Sequence, residues 1–310
     1  MLDFERMLKK STPYLAGIVF LALGLPLLAD LNIRALYQYV AGNAGICSFL
    51  ESWRSGSQIA HQINRFRDLQ KISKVTKDAG DGTELWHTPD GDWWVPMGSN
   101  DAILYDLSEQ DRDIYWTTSG GIRPGDLVLD CGANVGVFTK KALAAGARHV
   151  VAIEPAPENL KVLKKNLAAE IAAGKVTIYE KGVWDKDDIL KMNIDPTNSA
   201  ADSFVRDRPG STTIELPLTT IDKLVAELGL ERVDFIKMDI EGAERQAVAG
   251  ATETIKRFRP RMALCLYHLP DDPTVIPAAV LKIDPGYRFE CGCTYSSERV
   301  LSEVAHFRLK

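Results

Sequence analysis

A few short stretches of the chain concentrate carboxylates, glycines and an imidazole in spacings that could do chemistry. "VLDCGANVG" sets Asp130 ahead of the turn Gly132-Ala133-Asn134-Val135-Gly136, and "VVAIEP" closes on Glu154 and Pro155. Farther along, "FIKMDIEGAE" carries Asp239 and Glu241, and "ALCLYH" ends on His268. In doubly wound sheets the first strand–turn–helix is the usual ligand cradle, and glycine lets backbone come close to what is bound. A dinucleotide turn reads G-x-G-x-x-G and faces a pyrophosphate. This turn lacks the middle glycine, and Asp130 would repel a diphosphate, which disfavours a nicotinamide-dependent oxidoreductase. An acidic turn suits a cationic, donor-rich ligand such as S-adenosylmethionine, with its sulfonium and α-ammonium groups. Glu154 could then accept hydrogen bonds from the ribose hydroxyls, as acids at the end of a second strand do.

The elements that must hold these residues alternate from Arg123 onward. Strand "DLVLDCG" leads to helix "VGVFTKKALAAG", and "HVVAIEP" to "APENLKVLKKNLAAEIAAG". "VTIYEKGVW" is followed by a polar excursion through Ser211 and the short strand "IELPL". Helix "TTIDKLVAELGL" precedes "VDFIKMDIE", and helix "GAERQAVAGATETIKRF" precedes "PRMALCLYH". Apolar strands between amphipathic helices predict an α/β fold, a mostly parallel doubly wound sheet covered on both faces. The last strands, "YRFECGCTY" and "SEVAHFRLK", predict an antiparallel C-terminal edge. This reading makes residues 123–310 the catalytic domain. Residues 81–122 are expected to form an aromatic hairpin, turning at Pro89-Asp90-Gly91, and a helix capped by Ser108. Residues 36–80 read as a helical linker.

Residues 1–35 differ in character. Tyr14 to Ile33 is apolar apart from Asp30 and Asn32, and Ser11 to Ala29 is uncharged, near the ~20 residues a bilayer-spanning helix needs. A membrane-associated segment over residues 14–33 is therefore expected, with the body of the chain on the cytosolic side, where S-adenosylmethionine is held. The rest is an ordinary globular mixture, 45% hydrophobic with a net charge of -5, which argues against a nucleic-acid partner. The five cysteines are scattered, which does not read as a disulfide framework and favours a reducing compartment. Cys291-Gly-Cys293 lacks a second ligand pair and reads as strand cysteines.

From Asp81 to the C-terminus the chain resembles the FkbM-type family of S-adenosylmethionine-dependent methyltransferases. The landmarks are "VLDCGANVG", "VVAIEPAPENL", "EKGVWD", "PLTTIDKLV", "FIKMDIEGAE" and "RPRMALCLYH". The resemblance implies a Rossmann-like class I methyltransferase fold and methyl transfer, usually to a hydroxyl oxygen. Carried onto this sequence, it puts Asp130, Gly132, Ala133, Asn134 and Gly136 at the methionine end of the cofactor and Glu154 at the ribose. Pro155 and the turn Gly182-Val183-Trp184 fall at the adenine, where Trp184 could stack. The expected acceptor is a small-molecule or lipid-linked hydroxylated compound. Asp239 or His268 is the expected base, because a histidine titrates near neutrality and a buried carboxylate can be raised toward it. Glu241 is expected beside them, capping the helix that begins at Gly242. The same three residues could ligate a divalent cation, but the resemblance does not demand one and none is expected. The rival reading is a membrane-tethered protein that binds the cofactor without catalysis.

Overall fold

Every residue of strand β4 (Leu127–Cys131) is buried, as are most of β5 (His149–Ile153) and β11 (Arg261–Cys265) and all of β10 (Phe235–Met238). Strands this apolar on both faces need helices on both sides, and that requirement sets the architecture. The computed structural model describes residues 30–77, 80–117, 120–195, 198–207 and 209–310. With β6 (Val176–Tyr179), β12 (Tyr287–Ser296) and β13 (Arg299–Leu309), these strands form a seven-stranded sheet in the order β12-β13-β11-β10-β4-β5-β6. Neighbours from β6 to β11 are parallel, and β13 runs antiparallel to β11. The mostly parallel sheet with an antiparallel C-terminal edge is the one expected. Side chains alternate between the faces: Leu129, Ile236 and Leu264 enter one core layer, and Val128, Phe235 and Ala263 the other.

The chain divides into two compact units, one comprising residues up to Ala60 with Cys293–Leu301, the other His61–Gly292 with Ser302–Lys310. In the smaller, helix α1 (Leu31–Val40) is capped by Asp30, whose carboxylate accepts from the backbone N–H groups of Asn32 and Ile33. Helix α2 (Phe49–Ile72) starts there and crosses α1 closely at Gly56, where a Cβ would lie 2.3 Å from the Asn32 nitrogen. The Cys47–Cys293 disulfide closes this unit, a correction to the expected all-reduced set of cysteines. Residues widely separated in sequence meet only because the strand hairpin returns, a proximity that cysteine spacing does not reveal. Most of the expected membrane segment lies outside the described residues. Among those described, no helix is long and apolar enough to cross a membrane.

In the larger unit, β2 (Thr83–Thr88) and β3 (Gly91–Pro96) form the aromatic hairpin, with Trp86 opposite Trp93. Trp93 packs on Leu69, Leu104, Val137 and Val162, a core position and not a ligand platform. Asn166 clamps the hairpin, accepting from the Trp94 N–H and donating to its carbonyl. The following helix, α3 (Ala102–Gln110), ends where the expected one began. Ser108 sits in its last turn and donates to the Tyr105 carbonyl, since the apolar stripe of Ile103, Leu104 and Leu107 sets the helix register and overrides the capping signal. The polar excursion also holds an unexpected strand, β8 (Asp188–Ile194), which pairs with β9 (Thr212–Thr219) beside β7 (Gly182–Val183). Its alternating burial hides it as a strand among charged residues.

Helix α4 (Val137–Ala144) leaves β4 through two left-handed glycines. At Gly132 (φ 79°) a Cβ would stand 2.0 Å from the Asp239 carbonyl oxygen, and at Gly136 (φ 98°) it would press on Leu163 and Leu167. These glycines serve the close approach of β4 to β10 and of the turn to the next helix. Gly132→Ala combines left-handed strain with a backbone clash and should cost about 3 kcal/mol or more, read from denaturant unfolding. A variant as stable as the parent would show that the turn relaxes freely.

Candidate active site

The ends of β4, β5 and β10 converge on one cavity. Its wall includes Gly132, Asn134, Glu154, Pro155, Gly182, Val183, Asp239 and Glu241 from the expected set. The excursion between β8 and β9 supplies Ser199, Asp202 and Phe204, which the sequence reading passed over. Helix α3 brings Asp106 to an adjoining hollow that shares Asn134 and Ser199.

Asp130 does not face this cavity. It is fully buried beneath the glycine turn, accepts from the Thr139 hydroxyl at 2.6 Å and lies 3.2 Å from Lys237 Nζ. Lys237 also donates to the Gly132 carbonyl at 2.7 Å, tying β10 to the turn. Burial by itself would lower the Lys237 ammonium, but Asp130 and Asp239 hold it above an ordinary lysine. The acid expected at the methionine end thus has its countercharge inside the protein. Ala133 is likewise buried, its N–H donated to Ile153, and Gly136 faces the helix layer. Trp184 is half-buried away from the cavity wall, with its carbonyl against Gly250.

Glu154 stands on the wall with both oxygens anchored, one on the Asn134 N–H at 3.0 Å and the other on the Ala156 N–H at 2.9 Å. Burial raises its carboxyl in spite of those donors. Asn134 takes a left-handed conformation (φ 47°) to point its N–H there. Asp202, across the wall, is pushed up to about 7 by burial, opposed by the Asp195 N–H and reinforced by Glu154 and Glu158. Asp106 also rises to about 7, through burial and the charge of Asp239, with Lys237 opposing.

At the β10 end, Asp239 Oδ2 accepts from the Tyr115 hydroxyl at 2.6 Å, and Tyr267 donates to Oδ1 at 3.4 Å. Glu241, in a left-handed conformation (φ 53°), pairs with Arg206 through Oε2 at 2.6 Å. The expected helix cap does not form: the helix begins only at Glu244, with no side-chain cap, and the Glu244 carboxylate accepts from the Ile240 and Gly242 N–H groups of the preceding turn. Glu244 is fully buried and takes those donors, while Glu241 lies ahead of the helix on the cavity wall. His268 has no exposed side-chain surface; its Nδ1 meets Glu244 Oε1 at 2.9 Å. Its Nε2 faces Asp239 Oδ1 and Glu241 Oε1, each at 3.4 Å. The expected rise of Asp239 is reversed, and His268 leaves the neutral range expected of it. Burial would raise Asp239, but Lys237, His268 and the Tyr115 hydroxyl hold it below an ordinary carboxylate. Burial would lower His268, but Glu244, Glu241 and Asp239 raise it well above an ordinary imidazole.

The methyltransferase FkbM domain model matches residues 130–289, just over half of the chain and all of the main cavity's wall. The chain belongs to that family. It is similar to 31-O-demethyl-FK506 methyltransferase FkbM of Streptomyces tacrolimicus, 27% identical over 56% of this chain and 77% of that protein. It is also similar to 2-O-methyltransferase NoeI of Sinorhizobium fredii, 24% identical over 44% of this chain and 62% of that one. A crystal structure of a methyltransferase FkbM from Methylobacillus flagellatus is 20% identical with a TM-score of 0.48, covering 86% of this chain and 64% of that chain.

S-adenosylmethionine is the methyl donor of this family. The cavity fits it: Asn134 Oδ1 and Asn159 Oδ1 are buried acceptors with no partner, on a wall that also carries Glu154 and Asp202. Unmet acceptors and carboxylates call for a cationic ligand rich in donors. A cation in this cavity favours ionised Asp202, so binding should release a proton below about pH 7. Cofactor affinity measured by calorimetry is expected to rise as pH increases toward 7, by up to about tenfold per unit, and to level off above it. Asp202→Asn should flatten that profile; a slope that persists in the variant would assign the proton elsewhere.

Proposed function

We propose that this chain moves a methyl group from S-adenosylmethionine to a hydroxyl oxygen of a small saccharide-like, lipid-linked or secondary-metabolite acceptor. One observation carries the reading. Asp239 and Glu241 open onto the same cavity as Glu154 and Asn134, so acceptor-facing and cofactor-facing groups share one wall. FkbM and NoeI, both named for O-methyl transfer, support the choice of oxygen.

Glu154 receives the ribose hydroxyls, Asn134 and the Gly132 turn hold the methionine end, and Pro155, Gly182 and Val183 border the adenine. Asp130 acts from below, through Lys237, as a positioning residue for the turn. The cofactor supplies a methyl carbon already activated by its sulfonium, so the protein's task is alignment and removal of one proton. Asp239, ionised at neutral pH, takes the hydroxyl proton as oxygen bonds the methyl carbon and the carbon–sulfur pair stays with sulfur. His268 is sealed behind the two carboxylates and orients them. Labelled-methyl transfer to hydroxylated acceptors is the test. Asp239→Asn should lower turnover at least about tenfold with cofactor affinity retained, the signature of a group acting in the transition state. Parental turnover in that variant would remove the base assignment, and cofactor binding without transfer to any acceptor would favour the non-catalytic reading.

A second reading concerns where the enzyme works. In the smaller unit Tyr37, Val40, Phe49, Leu50 and Trp53 are exposed, and in the sequence the uncharged stretch Ser11 to Ala29 comes just before helix α1. Apolar and aromatic residues flanked by Arg34 and Arg54 suit the headgroup region of a bilayer, which supports membrane association with the catalytic unit on the cytosolic side. The full chain should co-sediment with anionic vesicles, and serine at Phe49, Leu50 and Trp53 should lower the bound fraction several-fold. A full chain that stays in the supernatant overturns this reading.

A further inference from the structure

The inward turn of Asp130 leaves one end of the cofactor without a countercharge. The methionine end carries an α-ammonium group, and the acid expected to meet it is committed to Lys237 and the Thr139 hydroxyl. The Gly132 carbonyl, another acceptor on the turn, already takes a bond from Lys237. An ammonium drawn out of water needs a charged or hydrogen-bonding partner in exchange, so a carboxylate from elsewhere in the fold has to supply it.

Helix α3 carries one. Its buried residues Ile103, Leu104 and Leu107 share a core with Val135 and Val137, which places the helix against the exit of the glycine turn. Three positions beyond Ile103, Asp106 lies on the same side of the helix, and both residues line the hollow beside the main cavity. Asn134 and Val135 of the turn and Ser199 of the excursion complete that wall, and Asn134 and Ser199 also border the main cavity. The Ser99 hydroxyl donates to Ser199 at 3.2 Å, tying the segment ahead of α3 to the excursion. The hollow is thus an extension of the cofactor cavity over the turn.

The setting of Asp106 suits a cationic guest. Gln110, buried one turn farther along α3, donates to its carboxylate. Val95, Ile103 and Val135 make the surroundings largely apolar, and burial disfavours the ionised carboxyl. The cation that acts on it from within the protein is Lys237, whose bonds go to Asp130 and the Gly132 carbonyl. On the same wall Asn134 Oδ1 is a buried acceptor with no partner. An ammonium carries three N–H donors and can serve a carboxylate and an amide oxygen together.

We propose that Asp106, and not Asp130, is the carboxylate that receives the α-ammonium group of S-adenosylmethionine, with Asn134 Oδ1 beside it. Asp130 keeps its positioning role beneath the turn. The inference deepens the proposed methyl transfer and rests on that reading for placing the methionine end at Asn134.

Calorimetric titration of the full chain with S-adenosylhomocysteine, and with its analogue lacking only the α-amino group, tests the contact. At one fixed pH, protons exchanged by Asp202 are common to every protein compared and cancel. The parent should bind the complete nucleoside at least about tenfold more tightly than the desamino analogue, as expected of a charge-assisted bond. Asp106→Asn should bind the two alike, near the parent's desamino affinity. Asp106→Ala should repeat the pattern, which keeps the test decisive if the asparagine variant fails to fold. 5′-Methylthioadenosine has no amino-acid end and should bind parent and variants within about twofold, reporting an intact pocket. A parent that does not discriminate, variants that discriminate as the parent does, or variants that lose all three nucleosides alike overturn the assignment. Unchanged nucleoside binding with a raised KM for the hydroxylated acceptor also overturns it and moves Asp106 to the acceptor. Those outcomes leave the methyltransferase reading standing, whereas a parent that binds no nucleoside removes that reading itself.

Discussion

The site depends on the buried pair of Asp130 and Lys237. One charge ends β4 and the other lies within β10, and the ammonium also bonds to the Gly132 carbonyl. The pair therefore locks the glycine turn to the strand that leads into Asp239. Removing one partner of such a pair costs about 3–5 kcal/mol, because the other charge stays buried. Tyr115 and Phe138, whose rings lie 5.4 and 5.7 Å from the ammonium, complete its enclosure.

Around this pair the protein gathers more acid than it neutralises. Lys237 serves Asp130 and lies near Asp239, while burial raises Glu154, and burial with neighbouring carboxylates raises Asp202 and Asp106. Such a cavity is electrostatically incomplete without cationic guests.

Much of this was legible in the chain. The apolar strands, their alternation with amphipathic helices and the antiparallel edge follow from periodicity, because a strand buried on both faces admits few residue types. Glu154, Asn134, Asp239 and Glu241 were placed by their position at strand ends, where topology forces side chains toward the crevice. Asp106, Asp202, Glu244 and Lys237 were not. Asp106 and Asp202 sit in no motif, and Lys237 and Glu244, though inside "FIKMDIEGAE", owe their roles to partners that the fold supplies. The capping signal at Ser108 failed because packing of the apolar stripe overrode a local preference worth about 1 kcal/mol.

What the sequence determines alone is the kind of fold, the acidic and non-dinucleotide character of the turn, and the family, since these rest on local pattern and residue type. Tertiary structure decided direction and partnership. It turned Asp130 inward to Lys237 and began the helix beyond Glu241, leaving it uncapped by a side chain. It closed Cys47 on Cys293, and it lowered Asp239 where a rise was expected and carried His268 well above neutrality. The physical reason is common to all four. A charged or reactive group takes its role from the charges and donors within a few ångströms, and those come from strands that only the folded sheet brings side by side.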